Sequence, residues 1–190
     1  TLRSYAGSVR SLIERTIPGP FAIVGHSLGG AITLRIALDA PDGLSGIVPV
    51  CTAAVHPMAG AIAGWIRADH TEAVQKICRD FLYRRGTRTD LVKLSIADLG
   101  RVAEETLLND MVIASRCDME AKLSSIETPA LVVAGGQDRL CPPEHSLTMA
   151  ERIPRAKLKI IEDAGHMVMI ERPRKLIGAL EPFLYETLYP

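Results

Sequence analysis

No charge of either sign is in excess, since 22 Lys and Arg stand against 22 Asp and Glu. The chain therefore offers no broad field to draw it onto nucleic acid, an anionic membrane or an acidic partner, and a small, near-neutral substrate is expected. Cysteines are few and scattered: Cys51, Cys78, Cys117 and Cys141 form no CxxC pair. That excludes the dense disulfide framework of small secreted domains and points to free thiols in a reducing cytoplasm. No apolar run approaches the roughly 18 residues of a membrane span, and the opening residues lack the charged head and apolar stretch of a signal peptide. Motifs for metals and nucleotides are missing as well, with no HExxH, GxGxxG or GxxxxGK, so no cofactor and no metal are expected. The chain also lacks an initiator Met and opens in an amphipathic pattern of Leu2, Tyr5, Val9, Leu12 and Ile13, as a chain entered in mid-domain would.

What is present is an alternation of buried-strand and helix signals. A length of 190 residues suits one domain with a large insertion. After the breaker cluster Ile17-Pro18-Gly19-Pro20, the run Phe21-Ala22-Ile23-Val24 predicts a strand. A helix is predicted from Leu28 to about Ala40, stopped by Pro41, and a second strand over Gly46 to Val50, against which Pro49 counts. From about residue 53 to 126 strand signals vanish. Helices are predicted there around Met58 to Arg67, Glu72 to Tyr83 and Ile96 to Arg116, forming a cap. Strands then return at Ala130 to Ala134 and Leu158 to Ile161, with helices from Pro143 to Ile153 and around Leu176 to Leu184. Such alternation implies an α/β fold, a parallel sheet covered by helices on both faces.

The sharpest chemical signal is Gly25-His26-Ser27-Leu28-Gly29, between a predicted strand and a predicted helix. That context is the one a GxSxG nucleophile elbow requires. A tight turn there strains the serine backbone and exposes its hydroxyl, and Gly25 and Gly29 are expected to remove side chains that would collide. The turn also opens a helix, whose Leu28 N–H is placed to stabilise an oxyanion.

A serine needs a base. Of five histidines, His56, His70 and His145 fall in the cap or a helix, and His26 adjoins the serine, where neighbouring side chains diverge. His166 alone sits in a loop directly after a strand, at the sheet edge where strand ends converge on a ligand crevice. The orienting carboxylate is expected at Asp138, reached from the strand through Gly135-Gly136-Gln137, two glycines that let the loop turn sharply. Asp163 competes, but lies too near His166 on the same loop to face it easily. His26, Met58, Trp65 and Met111, with Ile62 and Leu99, are candidates to line a substrate pocket, although apolar residues at helical spacing also serve as plain core. The cluster Arg84-Arg85-Gly86-Thr87-Arg88 is short enough to be simply solvated.

With the order Ser27, Asp138, His166, the chain resembles the α/β-hydrolase superfamily, in particular its small esterases, lactonases and related cofactor-free hydrolases. Three segments carry the resemblance: Gly25 to Gly30, Ile126 to Asp138, and Ala164-Gly165-His166 with Glu171 and Pro173. It implies that Ser27 attacks an acyl carbonyl, that His166 relays the proton, and that water releases an acyl-enzyme. The same residues would serve an ester, a lactone, a thioester, a peracid or a carbon–carbon bond, or persist in a ligand-binding receptor of the same fold. Family members place further strands and a second oxyanion donor ahead of the elbow. Their absence here implies a single hydrolase domain over 1–190 that misses its first strands, with the elbow strand left as an edge, and leaves a homo-oligomer open.

Overall fold

The computed structural model describes residues 1–189. Four strands form one parallel sheet in the order β1 (Phe21–His26), β2 (Leu44–Val50), β3 (Ala130–Gly135) and β4 (Ala156–Ile161). Parallel neighbours need crossovers, and these are α2 (Leu28–Asp39) between β1 and β2 and α7 (Pro143–Arg152) between β3 and β4. Ahead of them runs α1 (Leu2–Thr16), whose first turn is capped by the Thr1 hydroxyl accepting from Ser4 N–H. The loop after β4 holds the single turn α8 (Val168–Glu171) and leads into the closing helix α9 (Pro173–Leu188).

Side chains alternate across the sheet and so build two cores. Ile47 and Val132 face α2 and α7, where Leu34, Met149 and Ile153 are almost fully buried. Val48, Val50, Leu131 and Val133 face the other way, against Leu176 and Phe183 of α9. All six residues of β3 are buried, as expected of a central strand covered on both faces, whereas β1 lies at an edge with Val24 48% exposed. Pro49 does sit within β2. Its missing N–H is accommodated because the β2–β3 pairing is interrupted between Ile47↔Ala130 and Val50↔Val133.

The stretch expected as a cap is helical, with α3 (Ala59–Ala68), α4 (His70–Asp80), α5 (Thr89–Leu99) and α6 (Glu104–Ser115) lying between β2 and β3. These helices share an apolar cluster of their own, in which Ile66, Val74, Cys78 and Leu107 are buried. The single helix predicted over Ile96 to Arg116 is instead two. Gly100 ends α5, where a Cβ would stand 2.8 Å from the Ile96 carbonyl, and the chain re-enters a helix only at Glu104. Likewise α4 starts earlier than expected, because Asp69 caps it by accepting from Glu72 N–H.

Candidate active site

Ser27, Asp138 and His166 all follow the carboxyl ends of strands, β1, β3 and β4 respectively. Ser27 holds φ 53° and ψ −121°, in the positive-φ region that non-glycine residues rarely enter. Its N–H donates to Val50 O at 2.9 Å, and its carbonyl accepts from the buried Thr52 hydroxyl at 2.7 Å. The strain is thus overdetermined by the end of β2. Gly25 is required as expected, since a Cβ would lie 2.2 Å from Gly29 O. The second essential glycine is Gly30 rather than Gly29: a Cβ on Gly29 meets open space, whereas on Gly30 it would press to 2.5 Å on Thr52.

His166 Nδ1 donates to Asp138 Oδ2 at 2.7 Å, with both side chains almost wholly buried. The other carboxylate oxygen accepts from Leu140 N–H at 2.8 Å and Cys141 N–H at 2.9 Å. Three donors therefore offset the cost of burying Asp138. Gly135 and Gly136 serve close approach and not a sharp turn. Neither has a positive φ, and a Cβ on Gly135 would lie 2.1 Å from Gly165 O in the histidine loop. The two loops are also tied through Gln137 N–H to Ala164 O at 2.8 Å. Asp163 turns away to pair with Arg172 and Lys175, which hold its carboxyl well below the usual carboxylate range.

Ser27 and His166 open onto one cavity of about 220 Å³ with a largely apolar lining. Met58, Ile62, Leu99 and Met111 line it, as do Leu28 and His26. Trp65 does not. It lies two turns beyond Met58 on α3, where its ring packs on Phe81 at 5.6 Å with Lys76 Nζ above it at 5.2 Å. The stripe that begins in the cavity simply runs past it.

His26 does not diverge from the site. Its ring centroid lies 4.6 Å from that of His166, and its Nε2 is 2.9 Å from His166 O, so Nε2 carries the proton and donates. Burial, then the nearby His166, lower its pKa to about 4. His56 falls in the cap by its sequence position, yet it lines the cavity too, with Nε2 3.4 Å from the Thr52 hydroxyl and Nδ1 3.9 Å from Cys141 Sγ. Burial, then His166 and His145, bring it to about 4 as well. Its signal in the sequence is its position six residues beyond the end of β2, at the same sheet edge as the other side chains that face the crevice. Among the described residues no group of three His, Cys, Asp or Glu side chains is placed to hold a metal ion. No helix there is long and apolar enough to cross a membrane.

A parallel sheet with a strained strand-to-helix serine at one strand end, and a histidine–carboxylate pair at two others, defines a hydrolase of the α/β type. The family model described as alpha/beta hydrolase family matches residues 1–179, and the chain belongs to that family. It is similar to the pimeloyl-[acyl-carrier protein] methyl ester esterase of Nitrosomonas europaea, 24% identical over 90% of this chain and 73% of the relative. Among solved structures, an esterase from Exiguobacterium antarcticum superposes with a TM-score of 0.88 at 17% identity, covering 96% of this chain and 73% of its own. A hydrolase from Pseudomonas aeruginosa does so with a TM-score of 0.87 at 25% identity, covering 97% and 72%. These are the relationships of a carboxylic-ester hydrolase-like enzyme.

Proposed function

We propose that the chain hydrolyses small or medium acyl esters or lactones through an acyl-enzyme on Ser27. The observation that carries this reading is the buried 2.7 Å bond from His166 to Asp138, with Ser27 and His166 opening onto the same apolar cavity. As Ser27 Oγ attacks the carbonyl, His166 Nε2 takes its proton, and Asp138 stabilises the imidazolium that forms. The proton then passes to the leaving alcohol, and a water activated by the same imidazole frees the acid. Charge developing on the carbonyl oxygen is met by Leu28 N–H, which stands in the first turn of α2, where no intrahelical carbonyl can occupy it. The acyl chain lies among Met58, Ile62 and Met111, and helices α3 to α6 restrict access as a cap. The ester chemistry in the name of the Nitrosomonas europaea relative supports this substrate class.

Labelling of the purified chain with a fluorophosphonate, followed by mass mapping, tests the assignment. Stoichiometric modification at Ser27 is expected, lost in Ser27→Ala, whose turnover should fall by roughly 10⁶-fold. Modification elsewhere, or a Ser27→Ala protein that still turns over acyl esters, would overturn it.

A further inference from the structure

Glu171 is a carboxylate buried to 2% side-chain exposure, six residues beyond Gly165 and outside the acid–base pair. Its Oε2 accepts from Gly165 N–H at 2.6 Å. Its Oε1 accepts from the Thr87 hydroxyl at 2.7 Å and from Arg84 N–H at 3.1 Å. Arg84 Nε stands 3.9 Å away. A charge this deeply buried is costly unless it is paired and hydrogen-bonded, and here each oxygen faces only donors.

Those donors come from two places, the histidine loop and the segment 82–87 that joins α4 to α5. The same segment grips the histidine loop on its other side, through Met167 N–H to Leu82 O at 3.0 Å. At Gly165 the two backbones lie so close that a Cβ would fall 2.4 Å from Arg84 N. Both chain neighbours of His166 are thus fastened to one segment, while the His166 carbonyl is held by His26. That segment also reaches the acid loop, because Arg139, next to Asp138, donates to Tyr83 O at 3.0 Å.

We propose that Glu171 is a positioning residue, which locks the His166 loop to segment 82–87 and thereby fixes the imidazole against Asp138. Its kinetic consequence rests on the hydrolase reading above. Its structural consequence, a single His166 tautomer with the proton on Nδ1, does not. Glu171→Gln keeps the shape but leaves one oxygen for donors on both sides, so one donor must face the amide NH₂. Thr87→Val removes a single donor from a half-buried loop residue, and Thr87→Ser restores it.

The test measures the ring nitrogen resonances of His166 in protein labelled with ¹⁵N-histidine, together with kcat and KM on a p-nitrophenyl acyl ester. Glu171→Gln should lose the single Nδ1–H tautomer and lower kcat by about 10²-fold with KM little changed, the scale of a misplaced catalytic group. Thr87→Val should move both readouts the same way by less, and Thr87→Ser should match the wild type. A folded Glu171→Gln protein with wild-type resonances and kcat, whatever its melting temperature, would overturn the proposal. If Glu171→Gln does not fold, Thr87→Val decides: unchanged resonances would overturn the proposal, altered ones support it. Absence of turnover in the wild type would count against the hydrolase reading alone, because the resonances still report on Glu171.

Discussion

Asp138 accepts three hydrogen bonds and donates none, so both of its oxygens are engaged by donors. Replacing it with Asn puts an NH₂ against either His166 Nδ1–H or the N–H groups of Leu140 and Cys141. The lower-energy arrangement satisfies the two backbone donors and turns the amide toward the ring, which must then carry its proton on Nε2, the nitrogen that should receive the serine proton. Asp138→Asn is expected to keep the fold and to lose about 10⁴ in kcat. Fluorophosphonate labelling rates alongside circular dichroism check this, and a variant labelled at the wild-type rate would remove Asp138 from the proposed role. At this scale the sequence was informative where one residue type is needed at one strand end. Ser27, His166 and Asp138 were legible because motif and sheet-edge position coincide. Gly30 was not, because its need arises from Thr52, which lies 22 positions away and meets it only in the folded chain. Glu171 was visible as part of a motif, yet its partners Thr87 and Arg84 come from a loop more than 80 residues earlier.

Helices α3 to α6 show how far periodicity reaches. It predicts α3 to within a residue and leaves Met58 and Ile62 open between pocket lining and plain core; both line the cavity, but a stripe of apolar residues does not reveal where along the helix the cavity ends. Trp65 continues the stripe into the contact with α4, whereas Ile62 and, from α6, Met111 border the space left for a ligand. Shortening the two cavity residues should therefore change selectivity, and shortening the tryptophan should change stability. Ile62→Ala and Met111→Ala are expected to move the preferred acyl chain of p-nitrophenyl esters to greater length, a missing methylene in such a pocket being worth about 1–3 kcal/mol of discrimination. Trp65→Leu is expected to leave that preference in place while costing about 1–3 kcal/mol in urea unfolding, through lost aromatic packing and the lost cation–π contact with Lys76. An unchanged chain-length profile in both cavity variants would place the acyl group elsewhere. The break at Gly100 escapes periodicity for a related reason. Glycine is only mildly unfavourable within a helix, so the apolar positions on either side of it read as one period until the packing of α5 and α6 decided otherwise.

For the molecule as a whole, zero formal net charge leaves little global self-repulsion, so its stability against pH is governed by particular buried groups. Two of these are His26 and His56, each brought to about 4 from the ordinary 6.5, chiefly by burial. Well above pH 6.5 both are neutral in the folded and unfolded chains alike. As pH falls from 6.5 toward 4, the unfolded chain binds protons that the folded chain cannot, so stability drops through that window and levels off below it. The separation of about two and a half pH units corresponds to on the order of 3 kcal/mol per histidine, a large share of the 5–15 kcal/mol typical of a domain. Asp163 acts in a different window. Its carboxyl is held low by Lys175 and Arg172, so its stabilising effect is present above 3.8 and lost only at lower pH. Urea midpoints measured between pH 4.5 and 7 should accordingly fall with acidification in the wild type and stay nearly flat when His26→Asn and His56→Asn are combined. A double variant with the wild-type slope would mean that the acid sensitivity of the fold lies outside the pocket that holds Ser27 and His166.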